Sequence, residues 1–361
     1  MRRLSLIGLL LLVAVTLSAE STAIGGRGLD SLRYSRTSAG RGFFRYPQFG
    51  HSLCADVHPN FVRMDVPIAT NQQAYHWGWE NDPRSYRWQL NGLFGFILPV
   101  WSGNLVDSTY ALSVVMTGSA NLWMDMFDFH TSPIVDTDYR VGMPIITFMH
   151  RLNKGFFKNY SVMWAPFKHE STHIGDELQI RQVEVRDFAL KRVNVSYNYT
   201  EFAFTLNEAE NRYEENHCIR LGLMVLWGGG WYNIDAEDWG GDHPLETPKS
   251  SPWELYLQYQ YQSPTSKHGF QGIASAEIRN RALYGYDLYA KRTPGVEPVL
   301  GPDSRIFTYN VFMGVRYNTP NYDGCFSRFA FGLRAYHGNC PFGEFRSLRN
   351  YSQLGFCMIF E

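Results

Sequence analysis

The sequence predicts an all-β chain: an antiparallel transmembrane β-barrel of the outer-membrane type, with about 12 strands. Three observations predict it. Long segments alternate apolar and polar residues with period two. The connections between them alternate short and long. The last segment keeps alternating to the end of the chain, with Leu354, Phe356, Met358 and Phe360 on one face and Glu361 after them.

The alternation is clearest in the C-terminal half. Trp253, Leu255, Leu257, Tyr259 and Tyr261 interleave with Glu254, Gln258, Gln260 and Gln262. From Gly272 to Lys291, Ala274, Ala276, Ile278, Ala282, Tyr284, Tyr286 and Leu288 share one face. Ser275, Glu277, Arg279, Arg281, Asp287 and Lys291 share the other. Phe307 to Tyr317 and Phe329 to Ala335 repeat the pattern, with Thr308, Asn310, Gly314, Arg316 and Arg334 between the apolar positions. A strand with charges along its second face needs a polar lumen there, and strands in lipid must close so that every backbone group is paired. The segments fall at 60–68, 88–101, 109–126, 138–150, 156–170, 188–206, 216–231, 251–263, 270–291, 304–318, 328–338 and 351–360. If both ends of the barrel are periplasmic, every short connection lies on the periplasmic side, as is usual for such barrels.

Composition agrees. Aromatic residues make up 16% of the chain and charged residues only 19%, yet the mean hydropathy is negative, as expected of walls with two unlike faces. The net charge of −1 excludes the basic footprint of a nucleic-acid binder. Outer-membrane lipid is the expected partner, and no cofactor is expected.

Residues 1–19 read as a secretory signal peptide. Arg2 and Arg3 precede an apolar run from Leu4 to Leu17, and small residues follow at Ser18 and Ala19. Ser21-Thr22-Ala23 offers a second cleavage point. The run is short for a membrane helix, which needs about 20 residues. Residues 20–59 read as a periplasmic lead-in and 60–361 as the barrel. The five cysteines are odd in number, lack zinc spacing and read as isolated thiols.

The densest cluster of reactive side chains runs from His169 to Glu177, where the fifth segment reaches its long loop. On a strand, His169, Ser171 and His173 share a face. Same-face His and Ser supply the base and nucleophile of an acyl transfer, given a group that orients the imidazole. Asp176, Glu177, Glu184 and Asp187 are candidates for that role, and Asp176 with Glu177 could instead ligate a hard cation. Continued alternation would put Phe167, Ala165, Met163 and Ser161 on the face of His169. The opposite face, with Trp164, Val162 and Tyr160, is the more lipid-like, so the cluster is expected to face the lumen. A purely structural rim of polar residues is the competing reading. Asp235, Glu237, Asp238 and Asp242 form an acidic loop that reads as solvated charge. Gly228-Gly229-Gly230 opens no helix and so is no phosphate loop. Asn194-Val-Ser and Asn198-Tyr-Thr match a glycosylation pattern, within an expected strand.

His169-Glu170-Ser171 resembles the His-x-Ser of outer-membrane acyl hydrolases, whose phospholipase and lipid A deacylase members carry it on a barrel strand near the outer leaflet. The phospholipase pattern continues Asn-Gly. Thr172-His173 stand here, and no orienting Asn is assigned from the sequence. Four ordered segments also resemble the bacterial family called domain of unknown function 1207. They are Ala55-Asp56-Val57-His58-Pro59, Thr137 to Pro144, His169 to Glu177, and Tyr336 to Phe345. That resemblance implies an exported outer-membrane-type protein and supplies no activity. Two functions are carried forward: a pore, conduit or surface scaffold, and an acyl-ester hydrolase with Ser171 as nucleophile and His169 or His173 as base.

Overall fold

A computed structural model describes residues 42–43, 49–50, 52–57, 59, 61–69, 89–105, 108–125, 134–152, 155–175, 192–209, 213–234, 243–244, 253–282, 305–318, 328–342 and 351–361. The twelve long strands are β1 (Val62–Ala69), β2 (Gln89–Asn104), β3 (Tyr110–Asp125), β4 (Ile134–Arg151), β5 (Asn159–Ile174), β6 (Arg192–Leu206), β7 (Asn216–Ile234), β8 (Trp253–Gln262), β9 (Phe270–Ala282), β10 (Arg305–Asn318), β11 (Arg328–Gly338) and β12 (Tyr351–Phe360). Each pairs antiparallel with its neighbours in sequence. β12 pairs back onto β1, for example Phe356 with Val66, which closes the ring. Among the described residues the shortest ladder joining two of the twelve strands is β1–β2, with three residue pairs from Arg63–Leu93 to Asp65–Asn91. Below it the two-residue strand Gly42–Phe43 pairs with Ser102 and Trp101 of β2. A second short strand, His243–Pro244, pairs with β7.

The faces expected from the sequence are the observed ones in β8 to β12. Leu255, Leu257, Ile278, Phe307, Phe331, Leu333, Leu354 and Phe356 are exposed on the outer wall. Glu254, Gln258, Ser275, Glu277, Arg279, Arg281, Thr308, Asn310, Arg316 and Arg334 are buried in the lumen. Asp287 and Lys291 lie outside the described residues. Aromatic residues edge the outer apolar band. At the short-turn end Tyr110 stacks on His150 at 4.6 Å, and His150 Nδ1 lies 3.0 Å from the Tyr160 hydroxyl. At the long-loop end Arg305 packs over the Trp253 ring at 3.5 Å. Such girdles mark the two interfaces of a membrane barrel.

Among the described residues the lumen is packed with side chains. Buried ion pairs line it. Asp65 lies 3.1 Å from Arg63 and 2.6 Å from Arg334, and Lys168 lies 2.6 Å from Glu201. Arg279 lies 2.9 Å from Glu277 and Arg316 lies 2.7 Å from Glu361. The end of the expected lead-in is inside the barrel. The Cys54 amide donates to Gln260, the Ala55 amide to Ser275 and the Val57 amide to Glu277, while Asn310 donates to the Ala55 carbonyl. At the other end, the chain after β11 turns inward, and Phe342 stacks on Trp123 of β3 at 5.1 Å. Two lumen cavities measure about 30 and 40 Å³, enough for a few waters. Cys54, Cys218, Cys340 and Cys357 are buried free thiols; burial pushes Cys54 up to about 12 and Cys340 well above the usual thiol range.

One buried carboxylate between two guanidinium groups makes a sharp test. Asp65→Asn removes the carboxylate that Arg63 and Arg334 share and leaves the two guanidinium groups facing each other. Breaking a buried pair in this way costs about 3–5 kcal/mol. Urea titration of the detergent-folded barrel should show that loss as a lower midpoint at unchanged slope.

Candidate active site

The site stands where β5 departs from regular pairing. Up to Ala165, which pairs with Glu201 of β6, the odd residues Asn159, Ser161 and Ala165 are buried and Val162 and Trp164 are exposed. Beyond it Lys168 pairs with Tyr199, so Pro166 and Phe167 together oppose the single residue Thr200. This is a β-bulge, and with period-two side chains one extra residue swaps the faces. Past the bulge the buried residues are Glu170 and Thr172, whereas Ser171 is half-buried and His173 exposed. The expectation of a lumen-facing cluster is therefore overturned: His169, Ser171 and His173 face the outer wall. β4 makes a matching adjustment. Val115 of β3 pairs with Ile145 and Thr117 with Gly142, which leaves Met143 and Pro144 facing Met116. The β4–β5 register itself runs through unchanged, from Gly142–Lys168 to Ile146–Trp164.

The bulge has partners. The Thr200 hydroxyl donates to the Pro166 carbonyl at 2.8 Å, and Trp227 Nε1 donates to the Thr200 hydroxyl at 2.9 Å. Trp227 is itself the extra residue of β7, since Tyr199 pairs with Leu226 and Asn198 with Gly228. Its ring lies 6.0 Å from that of Phe167.

On the outer wall, β6 brings Asn198 directly beside His169, and His169 Nδ1 lies 2.8 Å from Asn198 Oδ1. An amide oxygen can only accept, so Nδ1 carries the proton and Nε2 presents its lone pair. Ser171 is the next residue on that face, flanked across the ladders by Tyr139 and Ser196. Same-face neighbours on a strand sit about 7 Å apart at Cα. His173 packs edge-on against Tyr139 at 5.8 Å. Glu170, between His169 and Ser171 in sequence, is tied into the lumen by Arg140 at 3.1 Å, and Arg140 also meets Asp138 at 3.3 Å. The site strand is thus anchored by ion pairs from behind.

Asp176, Glu177, Glu184 and Asp187 lie outside the described residues, as does the acidic loop at 235–242. Among the described residues no group of three or more His, Cys, Asp or Glu side chains is placed to hold a metal ion. The orienting group missed from the sequence is Asn198. The available signal was its expected strand beside the fifth segment; nothing in sequence spacing sets it opposite His169. A second outer-wall contact joins His337 Nδ1 to the Ser352 hydroxyl at 2.6 Å, with Tyr309 stacked on the imidazole at 6.5 Å. Among the described residues no amide or carboxylate orients that ring.

The fold and site define a closed, filled, membrane-type barrel carrying a Ser/His/Asn set on its lipid-facing wall. No protein-family model and no curated protein sequence matches the chain. Solved structures similar to it include outer membrane phospholipase A from Escherichia coli, at 9% identity over 84% of this chain and 93% of that one, with a TM-score of 0.46. LpxR from Salmonella typhimurium aligns at 12% identity over 82% and 99%, with a TM-score of 0.35. The outer membrane protein OprD from Pseudomonas aeruginosa aligns at 8% identity over 88% and 97%, with a TM-score of 0.29.

The facing of the site is directly measurable. In a cysteine-free background, a fluorophore on Ser171→Cys should be quenched by lipid-attached nitroxides, whereas one on Ser275→Cys, in the lumen, should not. Equal protection of both positions would return the site to the interior.

Proposed function

We propose that this chain is an acyl-ester hydrolase of the bacterial outer membrane, acting on lipid esters at the outer interface through Ser171, His169 and Asn198. The observation that carries the proposal is the 2.8 Å contact between His169 Nδ1 and Asn198 Oδ1 beside Ser171 on the lipid-facing wall. Membership of the domain of unknown function 1207 family is part of the same proposal, on the four ordered segments quoted above.

Depth supports this reading. Tyr160, in the girdle at the short-turn end, and Ser171 are on the same strand, eleven residues apart. With one of those eleven residues taken up by the bulge, about 3.3 Å per residue and a tilt of about 40° separate them by roughly 25 Å along the barrel axis. That is the height of the apolar band, so Ser171 sits at the far interface, where ester linkages of lipids lie. With the short turns periplasmic, that interface is the outer one.

The chemistry follows the acyl-transfer scheme. Ser171 Oγ attacks the ester carbonyl carbon while His169 Nε2 takes its proton. The tetrahedral intermediate collapses, the C–O bond breaks, and the alcohol leaves with the proton from Nε2. Water then attacks the acyl-serine, gives its proton to Nε2, and the fatty acid departs as Oγ recovers it. Asn198 keeps the proton on Nδ1 and the ring in line throughout. The conduit reading is less well supported, because ion pairs and two inserted segments fill the lumen.

Purified barrel in mixed micelles should release fatty acid from a phospholipid or a lipid A-type ester. Ser171→Ala should abolish release. Asn198→Ala should lower kcat by about 10²–10⁴, the range set by losing the imidazole's orienting partner. Ser352→Ala, at the His337 contact, should leave the rate intact. Undiminished release by Ser171→Ala, or none from any folded form, refutes the assignment. Conductance steps in planar bilayers would favour the conduit instead.

A further inference from the structure

We infer that Thr200 and Trp227 are positioning residues for the Ser171 site, through the hydrogen-bond relay they make to the Pro166 bulge. The catalytic part of this inference rests on the hydrolase reading; the geometric part does not.

Three strands meet in the relay. Trp227 of β7 donates to Thr200 of β6, and Thr200 donates to the carbonyl of Pro166 in β5. Thr200 stands two residues from Asn198 on the same outer face, and Pro166 stands three residues before His169. One hydroxyl therefore ties the strand that carries His169 and Ser171 to the strand that carries Asn198, immediately below their contact. A bulge disrupts the ladder at its extra residue. On a lipid-facing wall no water is at hand to satisfy a carbonyl released from it. The Thr200 hydroxyl supplies the donor, and the indole N–H fixes which way the hydroxyl points. Phe167, packed near the Trp227 ring, fills the outer side of the same bend.

The lumen side explains why the relay tunes the site and does not create its facing. Without the bulge, Lys168 and Glu170 would turn to lipid and lose their ion pairs with Glu201 and Arg140. Those pairs hold the swapped faces. What they leave free is the bend angle at Pro166–Phe167, and that angle sets the distance from His169 to Asn198. Catalytic geometry is sensitive to shifts of about 1 Å.

The test uses Thr200→Val, Thr200→Ser and Trp227→Phe in the full-length folded barrel. Thr200→Val keeps the shape and removes the hydroxyl; it should lower kcat about tenfold or more with KM unchanged. Thr200→Ser should restore the rate. Trp227→Phe, which loses only the indole donor, should give a smaller fall and serves if the valine variant does not fold. In parallel, a nitroxide on Ser171→Cys reports the geometry without any hydrolysis. Thr200→Val should broaden its mobility spectrum and Thr200→Ser should not. Unchanged kcat and unchanged spectra in Thr200→Val would overturn the inference, as would a loss that Thr200→Ser does not rescue. A spectral change rescued by serine, in a protein that hydrolyses no ester even as wild type, would uphold the positioning role and sink the hydrolase reading.

Discussion

Closure is the constraint on which this structure depends. In lipid each strand must give all its backbone groups to neighbours, and a ring of twelve antiparallel strands does so without an edge. Once the ring closes, every residue is assigned to the wall or to the lumen by parity alone. The side-chain period of two then leaves one way to change the assignment within a strand, which is to insert a residue. β4 and β5 both do this, at Met143–Pro144 and Pro166–Phe167, and stay in register with each other while they do. The outcome is local. Below the bulges the wall is Val162 and Trp164; above them it is His169 and Ser171.

The lumen makes that arrangement stable. Charged residues on strands are tolerated because they meet partners inside: Asp65 between Arg63 and Arg334, Glu170 beside Arg140, Lys168 beside Glu201. Buried pairs of this kind are costly to break and so act as register pins. Residues 52–57 and 339–342 complete the filling from opposite ends. In a barrel filled in this way the outer wall is the accessible face, and there the Ser/His/Asn set stands without a charged partner among the described residues.

Much of this was legible in the sequence. The strand segments, their alternation and the faces of β8 to β12 follow from residue type, because each strand there keeps one parity from end to end. The same rule failed on β5, where it was extended through Pro166. A proline inside a strand cannot donate to the ladder and belongs at edges or bulges, so Pro166 and Pro144 were the signals that the parity changes. The fifth strand was expected at 156–170 and is observed at Asn159–Ile174, which brings Ser171 and His173 into the ladder. Asn198 was not legible as a partner, because its pairing with His169 depends on a register that the bulge itself shifts by one. The inward turn of residues 52–57 was equally hidden. Many of their contacts are backbone amides and carbonyls meeting lumen side chains, and backbone groups carry no residue code.

His169 with Ser171 and His337 with Ser352, both on the outer wall, show why two residue types on one face are not yet a site. His337 and Ser352 are bonded at 2.6 Å, yet that bond uses Nδ1, and no amide or carboxylate among the described residues fixes the ring. His169 has the reverse arrangement: Nδ1 is held by Asn198, which sets the tautomer and leaves Nε2 for the serine on the same face. An imidazole serves best as a base when its other nitrogen is held, because that fixes the tautomer and the ring. The difference between the two sites comes from a neighbouring strand and not from the His-Ser motif. That strand is brought into line by a bulge one turn of the ladder below, and so the parity change on β5 decides both where the site faces and whether its histidine has a partner.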